Sequence, residues 1–275
     1  SCPDIVSHCT LLAGYADYGH DDKALHCLRQ VQGSAVYPNV VMYVCGLKFC
    51  GNAGMLIDGH NLHSELVNQG LEKDPIIGSS LVDMYAKCGL LKESQGVFDK
   101  LVARDVVSWT ALMAGYGQSG QATMVLQLFR EMRKQGILPS PVTILILLTA
   151  CSHSGLLEEG EKLFDDMLVV YNLSPTLEHY TCMIDLYGRA GHFDKVKNLF
   201  DKVSSSLDHL TLYLAILGAC RKWVNVDLGR WAFDKLLSLD AKCTAAYVCM
   251  ESIYIESGMQ TEANEIKARR VENKA

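Results

Sequence analysis

The sequence predicts an all-α fold, a right-handed α-solenoid superhelix of stacked helix-turn-helix repeats. Three recurring marks predict it. A glycine returns at positions 19, 54, 89, 120, 155, 191 and 258, so that the steps are 35, 35, 31, 35, 36 and 67 residues, the last about two units. Tyr15, Tyr85, Tyr116, Tyr187 and Tyr254 each stand four residues before their glycine, and Cys50 and Cys151 fill that place at two others. Phe98, Phe129, Phe164 and Phe200 each follow theirs by nine. A period in this range marks a stacked array. Each unit then buries its apolar face against its neighbours, without a single central core.

Taken in order, the first unit places a helix over about residues 7–18, with Leu11, Leu12, Tyr15 and Tyr18 at helical spacing. Gly19 permits the turn, a second helix over about 22–33 carries Leu25 and Leu28, and Pro38 stops it. The next unit is looser, with Gly51 and Gly54 together. The third is four residues shorter; its helices present Leu81, Tyr85 and Cys88, then Val97, Phe98 and Leu101. Trp109, Leu112, Met113 and Tyr116 form the next stripe, and their helical spacing reads as core. The unit from Pro141 is the most apolar, and the one from Leu177 repeats the pattern with Tyr180, Met183, Tyr187 and Phe200. From about His209 the signal weakens but persists through Leu217, Leu236, Tyr247 and Tyr254. No alternating apolar run with flanking turns signals a strand. The count is eight helix pairs.

Composition narrows the function. With 49% hydrophobic and 20% charged residues the chain is ordered and globular. Its net charge of −6 excludes a protein that holds nucleic acid mainly by neutralising phosphates, so any such contact must be local. The 11 cysteines contain no C-x-x-C pair, which signals neither a zinc nor a thioredoxin-like site and points to reduced thiols in small core spaces. The longest strongly apolar run, Val142–Cys151, is too short to span a bilayer. Ser1-Cys2-Pro3-Asp4 leads directly into a repeat, which reads as a segment cut from a longer array and carries no targeting peptide.

Other motifs are weak. His60 and His63 sit three apart but find no third ligand at helical spacing, so no metal and no cofactor is expected. His63-Ser64-Glu65 matches half of a zinc-deaminase signature whose P-C-x-x-C half is absent. Gly155–Lys162 fails as a phosphate loop because Glu161 breaks it and no strand precedes it. No spacing signals a nucleophile with its base, so no catalytic residue is assigned and the chain reads as a non-enzyme.

The phrases LVDMYAKCG (Leu81–Gly89), DVVSWTALMAGYGQSG (Asp105–Gly120), LLTACSHSGLLEEG (Leu147–Gly160) and EHYTCMIDLYGRAG (Glu178–Gly191) resemble the pentatricopeptide repeat family of plant organelles. The match is to its mixed-length class, with P-, L- and S-type repeats at 5–39, 40–74, 75–105, 106–140, 141–176 and 177–208. LGACRKWVNVDLG (Leu217–Gly229) resembles the first of two E-type, tetratricopeptide-like extension motifs, expected at 209–242 and 243–275.

The resemblance implies sequence-specific binding of single-stranded RNA, one base per repeat. It implies a mitochondrial or chloroplast protein that selects sites for C-to-U editing or other RNA processing. Catalysis would come from a separate or missing deaminase domain, and residues 209–275 would take editing accessory proteins or that deaminase. A protein–protein scaffold is the competing reading. The second residue of each repeat, Val6, Val41, Ile76, Val107 and Val142, would sandwich a base. Fifth and last residues would meet the base edge: Cys9 with Asn39, Val44 with Asp74, Ser79 with Asp105, Thr110 with Ser140, Leu145 with Thr176, and Thr181 with Asp208 or His209. Ser79–Asp105 and Thr181–Asp208 resemble guanine readers. Lys87 and Arg189, two residues before their glycines, would touch phosphate; His153 is a weaker fit.

Overall fold

A computed structural model describes residues 40–200 and 208–273, together with residues 10, 11, 14, 15, 18, 20, 23, 24 and 26. The first predicted unit therefore lies largely outside the described residues. Among those described there are fourteen α-helices, one short 3-10 turn and no strand. The chain is all-α, of the solenoid type built from stacked helical hairpins, and divides into two compact units, Ser1–Pro139 and Ser140–Ala275.

In the first unit α1 (Val40–Ala53) pairs with α2 (Leu56–Asn68), α3 (Pro75–Lys87) with α4 (Leu91–Lys100), and α5 (Val106–Gln118) with α6 (Ala122–Lys134). In the second, α7 (Pro141–Ser154) pairs with α8 (Leu157–Val169), α9 (Leu177–Ala190) with α10 (Phe193–Phe200), α11 (His209–Trp223) with α12 (Val226–Leu239), and α13 (Thr244–Glu256) with α14 (Gln260–Glu272). The first helices of the pairs form one layer: α1 packs on α3 and α3 on α5, and in the second unit α7, α9, α11 and α13 stack in turn. Second helices cover them on the other side.

The hairpin turns explain the glycine period. Gly54, Gly89, Gly120, Gly155, Gly191 and Gly258 all have φ between 67° and 78°, the left-handed region where a missing Cβ removes the strain. One hairpin lacks its glycine. Between α11 and α12 the same turn is made by Val224 at φ 50°. That substitution accounts for the doubled step from 191 to 258.

The residue four before each turn ties neighbouring hairpins together. The Tyr85 hydroxyl lies 3.1 Å from His60 Nδ1 and 2.7 Å from His63 Nδ1, both on α2. Tyr116 donates to Gln95 on α4 at 3.2 Å, and Tyr187 hydrogen-bonds Glu161 on α8. Arg230 Nε on α12 donates to the Tyr254 hydroxyl at 2.8 Å. Each phenol thus reaches back from a first helix to the second helix of the hairpin before it. Cys50, Cys151 and Cys220 hold the same place elsewhere, each fully buried, and burial pushes their thiols up to about 12. All eight described cysteines are free. The two histidines are therefore engaged with a phenol, and no cluster of three His, Cys, Asp or Glu is found among the described residues. No described helix is long and apolar enough to cross a membrane.

Candidate nucleic-acid interface

The interface candidates occupy two places on each hairpin: the start of the first helix and its exposed side. Val41, Ile76 and Val107 stand at the same position near the starts of α1, α3 and α5, and are 57%, 62% and 57% exposed. Val142 on α7 is again 57% exposed. Exposing a β-branched aliphatic forgoes roughly 1–2 kcal/mol of burial, and single exposed apolar residues are common. Their recurrence at one helical position is the informative feature. Val6, Cys9 and Asn39 lie outside the described residues.

The last residue of each repeat is the N-cap of the next first helix. Asp74 Oδ1 accepts from the backbone N–H of Ile76 at 2.9 Å and Ile77 at 3.2 Å. Asp105 Oδ1 accepts from Ser108 N–H at 2.8 Å, and Ser108 Oγ accepts from Asp105 N–H at 3.1 Å, closing a capping box. Ser140 and Thr143 form a second box. In a third, Thr176 N–H donates to His179 Nδ1 at 3.2 Å. That bond leaves the ring proton of buried His179 on Nε2, 2.9 Å from the Pro141 carbonyl oxygen, to which it donates. Asp208 caps α11 by accepting from Leu210 N–H at 3.1 Å and from the Thr211 hydroxyl. Those bonds, Thr211 first, hold its carboxyl below the usual carboxylate range. Since Asp208 is the cap and His209 the first helical residue, Asp208 is the structural counterpart of Asp74 and Asp105.

The fifth residues are less uniform. Thr110 and Thr181 donate their hydroxyls to the carbonyls of Val106 and Leu177 one turn back, at 2.6 and 2.9 Å. Their oxygens keep acceptor capacity; Thr110 is half-buried and Thr181 exposed. Val44 and Leu145 are half-buried and apolar. Ser79 differs from Thr110 and Thr181 in burial, being only 6% exposed. The hydroxyl is 2.9 Å from the Pro75 carbonyl and 3.3 Å from Asp105 Oδ1, so its one proton serves the protein interior. Ser79 thus lies beside the Asp105 carboxylate at the start of α5.

The two cations expected at phosphate are already paired. Lys87 Nζ is 2.7 Å from Asp83 Oδ2, and Arg189 Nε is 2.8 Å from Asp185 Oδ2. Asp185 also accepts from Ser152 Oγ at 2.6 Å, and Lys222 Nζ lies 3.4 Å from its other oxygen. Burial would raise the Asp185 carboxyl, but the hydrogen bonds from Ser152 and Arg189 and the charges of Arg189 and Lys222 outweigh it and hold the group below the usual range. Lys222 escaped the sequence pattern because Val224, two residues on, replaces the glycine that marks the register.

Comparison with known proteins identifies the class. Profiles described as PPR repeat family, PPR repeat and pentatricopeptide repeat domain match residues 104–153, then 79–106, 142–169 and 178–206, then 2–53. Curated relatives from Arabidopsis thaliana include a mitochondrial pentatricopeptide repeat-containing protein, 34% identical over 97% of this chain and 48% of its own length. Another is the chloroplastic pentatricopeptide repeat-containing protein CRR2, 36% identical over 96% of this chain and 40% of its own length. The chain thus spans less than half of these relatives. Among solved structures, the maize pentatricopeptide repeat protein PPR10 superposes with a TM-score of 0.64 at 18% identity, covering 97% of this chain and 39% of that one. PPR10 in complex with an 18-nt psaJ RNA element gives 0.52 at 21%, covering 98% and 44%. These structural likenesses speak for the fold. The chain belongs to the pentatricopeptide repeat family.

Proposed function

We propose that this chain is the recognition part of a plant-organelle RNA-binding protein that reads single-stranded RNA one base per hairpin. The observation that carries the reading is the shared register of an exposed aliphatic residue and a capping carboxylate or hydroxyl at the start of successive first helices. An aliphatic side chain there offers a flat apolar contact to a base. Capping fixes the carboxylate's orientation: in Asp74 and Asp105 the described bonds fall on Oδ1, which leaves Oδ2 to accept from an imino or amino N–H of a base. The likeness to PPR10, a relative solved with RNA, agrees with this reading.

The repeat phasing is that of the mixed-length class, with E-type extensions over 209–242 and 243–275. The task is site selection for C-to-U editing or a related processing step in mitochondrion or chloroplast, with the deaminase supplied in trans or by a further domain. Residues 209–275 are the candidate contact for that partner. The test is selection of ligands from a randomised single-stranded RNA pool by the purified chain. Enrichment of a register with a keto base opposite Asp105 supports the reading; no enrichment over a helical-repeat protein of similar charge sinks it.

A further inference from the structure

Helix α13 departs from the chemistry of the other first helices. Its buried side is apolar, made of Ala246, Tyr247, Met250, Ile253 and Tyr254, and the helix packs on α11, α12 and α14. Its other side is largely apolar too. Ala245, Val248, Ser252 and Ile255 recur at steps of three, four and three residues, which sets them on one stripe. Val248 and Ile255 are 40% and 50% exposed. The Ser252 hydroxyl donates to the Val248 carbonyl oxygen at 3.0 Å, so its proton is satisfied within the helix. A helix that is apolar on both sides is ordinarily covered on both. Carboxylates flank the stripe. Glu251 is held by Arg270 Nη1 of α14 at 3.6 Å, whereas Glu256 stands exposed in the last turn. That turn carries no basic residue, so the partial negative charge of the helix end adds to Glu256. Counted back from the turn glycine, Val248 stands where Thr110 and Thr181 stand, and Glu256 where Lys87 and Arg189 stand. At α13 an aliphatic and an anion thus replace the groups assigned above to RNA.

We propose that this stripe docks a basic amphipathic helix of a partner protein, with aliphatic side chains on Val248 and Ile255 and a lysine or arginine against Glu256. The inference rests on the assignment of residues 209–275 to protein contact and deepens it by placing that contact on α13. The three-four-three spacing is that of the seam between paired helices, where the flanking charges choose the partner. A phosphate backbone is repelled by Glu256. The same charges select against a second copy of this chain: pairing two α13 stripes, in either direction, sets carboxylate against carboxylate.

The experiment uses the whole chain and two designed helical peptides of about 21 residues, both with leucine along the seam, one with lysine and the other with glutamate at the flanking positions. Fluorescence anisotropy gives the affinity for the wild type, Ile255→Ser, Glu256→Lys and the charge-matched control Asp234→Lys on exposed α12. The lysine peptide should bind the wild type at least about tenfold more tightly than the glutamate peptide. Ile255→Ser should weaken it by about tenfold, Glu256→Lys should abolish the preference for lysine, and Asp234→Lys should change affinity by less than about twofold. Equal effects of the Glu256 and Asp234 reversals, or no binding of the lysine peptide, would overturn the proposal. Hydrogen exchange then locates the bound peptide. Protection of α13 supports the docking stripe. Protection elsewhere within 209–275 overturns the stripe and leaves the assignment of that region to protein contact standing, and protection confined to residues before 209 overturns both. Self-association of the wild type that Ile255→Ser abolishes would give the stripe to a second copy and overturn the proposal. Selection from the RNA pool, run in parallel, tests the RNA reading separately: both α13 variants should keep RNA affinity within about twofold, and an RNA that displaces the peptide would place nucleotides on α13 and overturn the proposal. Glu256→Lys changes an exposed side chain, so its outcome stands even where circular dichroism shows that Ile255→Ser loses helix.

Discussion

Ser79 with Asp105 in the first unit and Thr181 with Asp208 in the second share their places in the repeat and nearly the same chemistry. Their geometry differs. Ser79 is buried and its hydroxyl lies 3.3 Å from the Asp105 carboxylate, so the pair is one hydrogen-bonded unit built into the start of α5. Thr181 is exposed and bonds backward along α9, while Asp208 closes on Thr211 within its own helix. The first pair has its acceptor braced by the preceding hairpin; the second presents two separate groups to solvent. Sequence-level pairing rules treat the two as equivalent, and the difference is that one fifth residue lies against the cap while the other is exposed.

The largest expected effect comes from breaking the braced pair. Asp105→Ala removes the capping box of α5 and the partner of Ser79, which should cost about 1–2 kcal/mol of stability. Asp208→Ala should cost less, since its partners are local and solvated. Hydrogen exchange at the first turns of α5 and α11 would show both losses, and equal deprotection would contradict the distinction.

Next comes base choice. Asp105→Asn keeps the Oδ1 cap but turns the other position into a donor, which should move preference at that repeat from a keto to an amino base by about 1 kcal/mol. Selection from a randomised RNA pool reads this directly; an unchanged preference counts against Asp105 as a base reader. In Asp208→Asn the same shift should be weaker, because Thr211 already occupies the second oxygen.

A smaller effect separates the fifth residues. Ser79→Ala should lower stability by about 0.5–1 kcal/mol and couple to Asp105→Ala in a double-mutant cycle. Thr181→Ala should leave stability within about 0.5 kcal/mol and weaken RNA binding instead. Swapped outcomes would mean that Ser79 turns outward to the ligand.

The two units should also part in acid. Burial lowers the His63 pKa below its ordinary 6.5. A histidine depressed in the fold supports stability above the unfolded value, and that support is lost as pH falls below about 6.5. Asp185 is depressed below the carboxylate range, so its support persists until pH falls below about 4. Exchange near α2 and α3 should therefore accelerate at a higher pH than exchange near α9 and α11. His63→Gln should remove the upper step.

The period of glycine, tyrosine and phenylalanine by itself determined the class of fold and the placing of the hairpins. Each mark has a local cause: a left-handed turn, a phenol reaching the preceding hairpin, an apolar stripe at helical spacing. The aliphatic second residues and the last residues of the repeats were located through the family resemblance, whereas their exposure and their capping of the next helix came only from the structure. Tertiary structure decided what depends on neighbours. It turned Ser79 inward because Asp105, 26 residues on, lies within hydrogen-bonding reach. It placed Asp208 and not His209 at the cap. It also brought Lys222 to Asp185 across 37 residues, behind a turn whose valine hides the register. Local spacing fixes which face of a helix a residue occupies, but only stacking fixes whose side chain is waiting there.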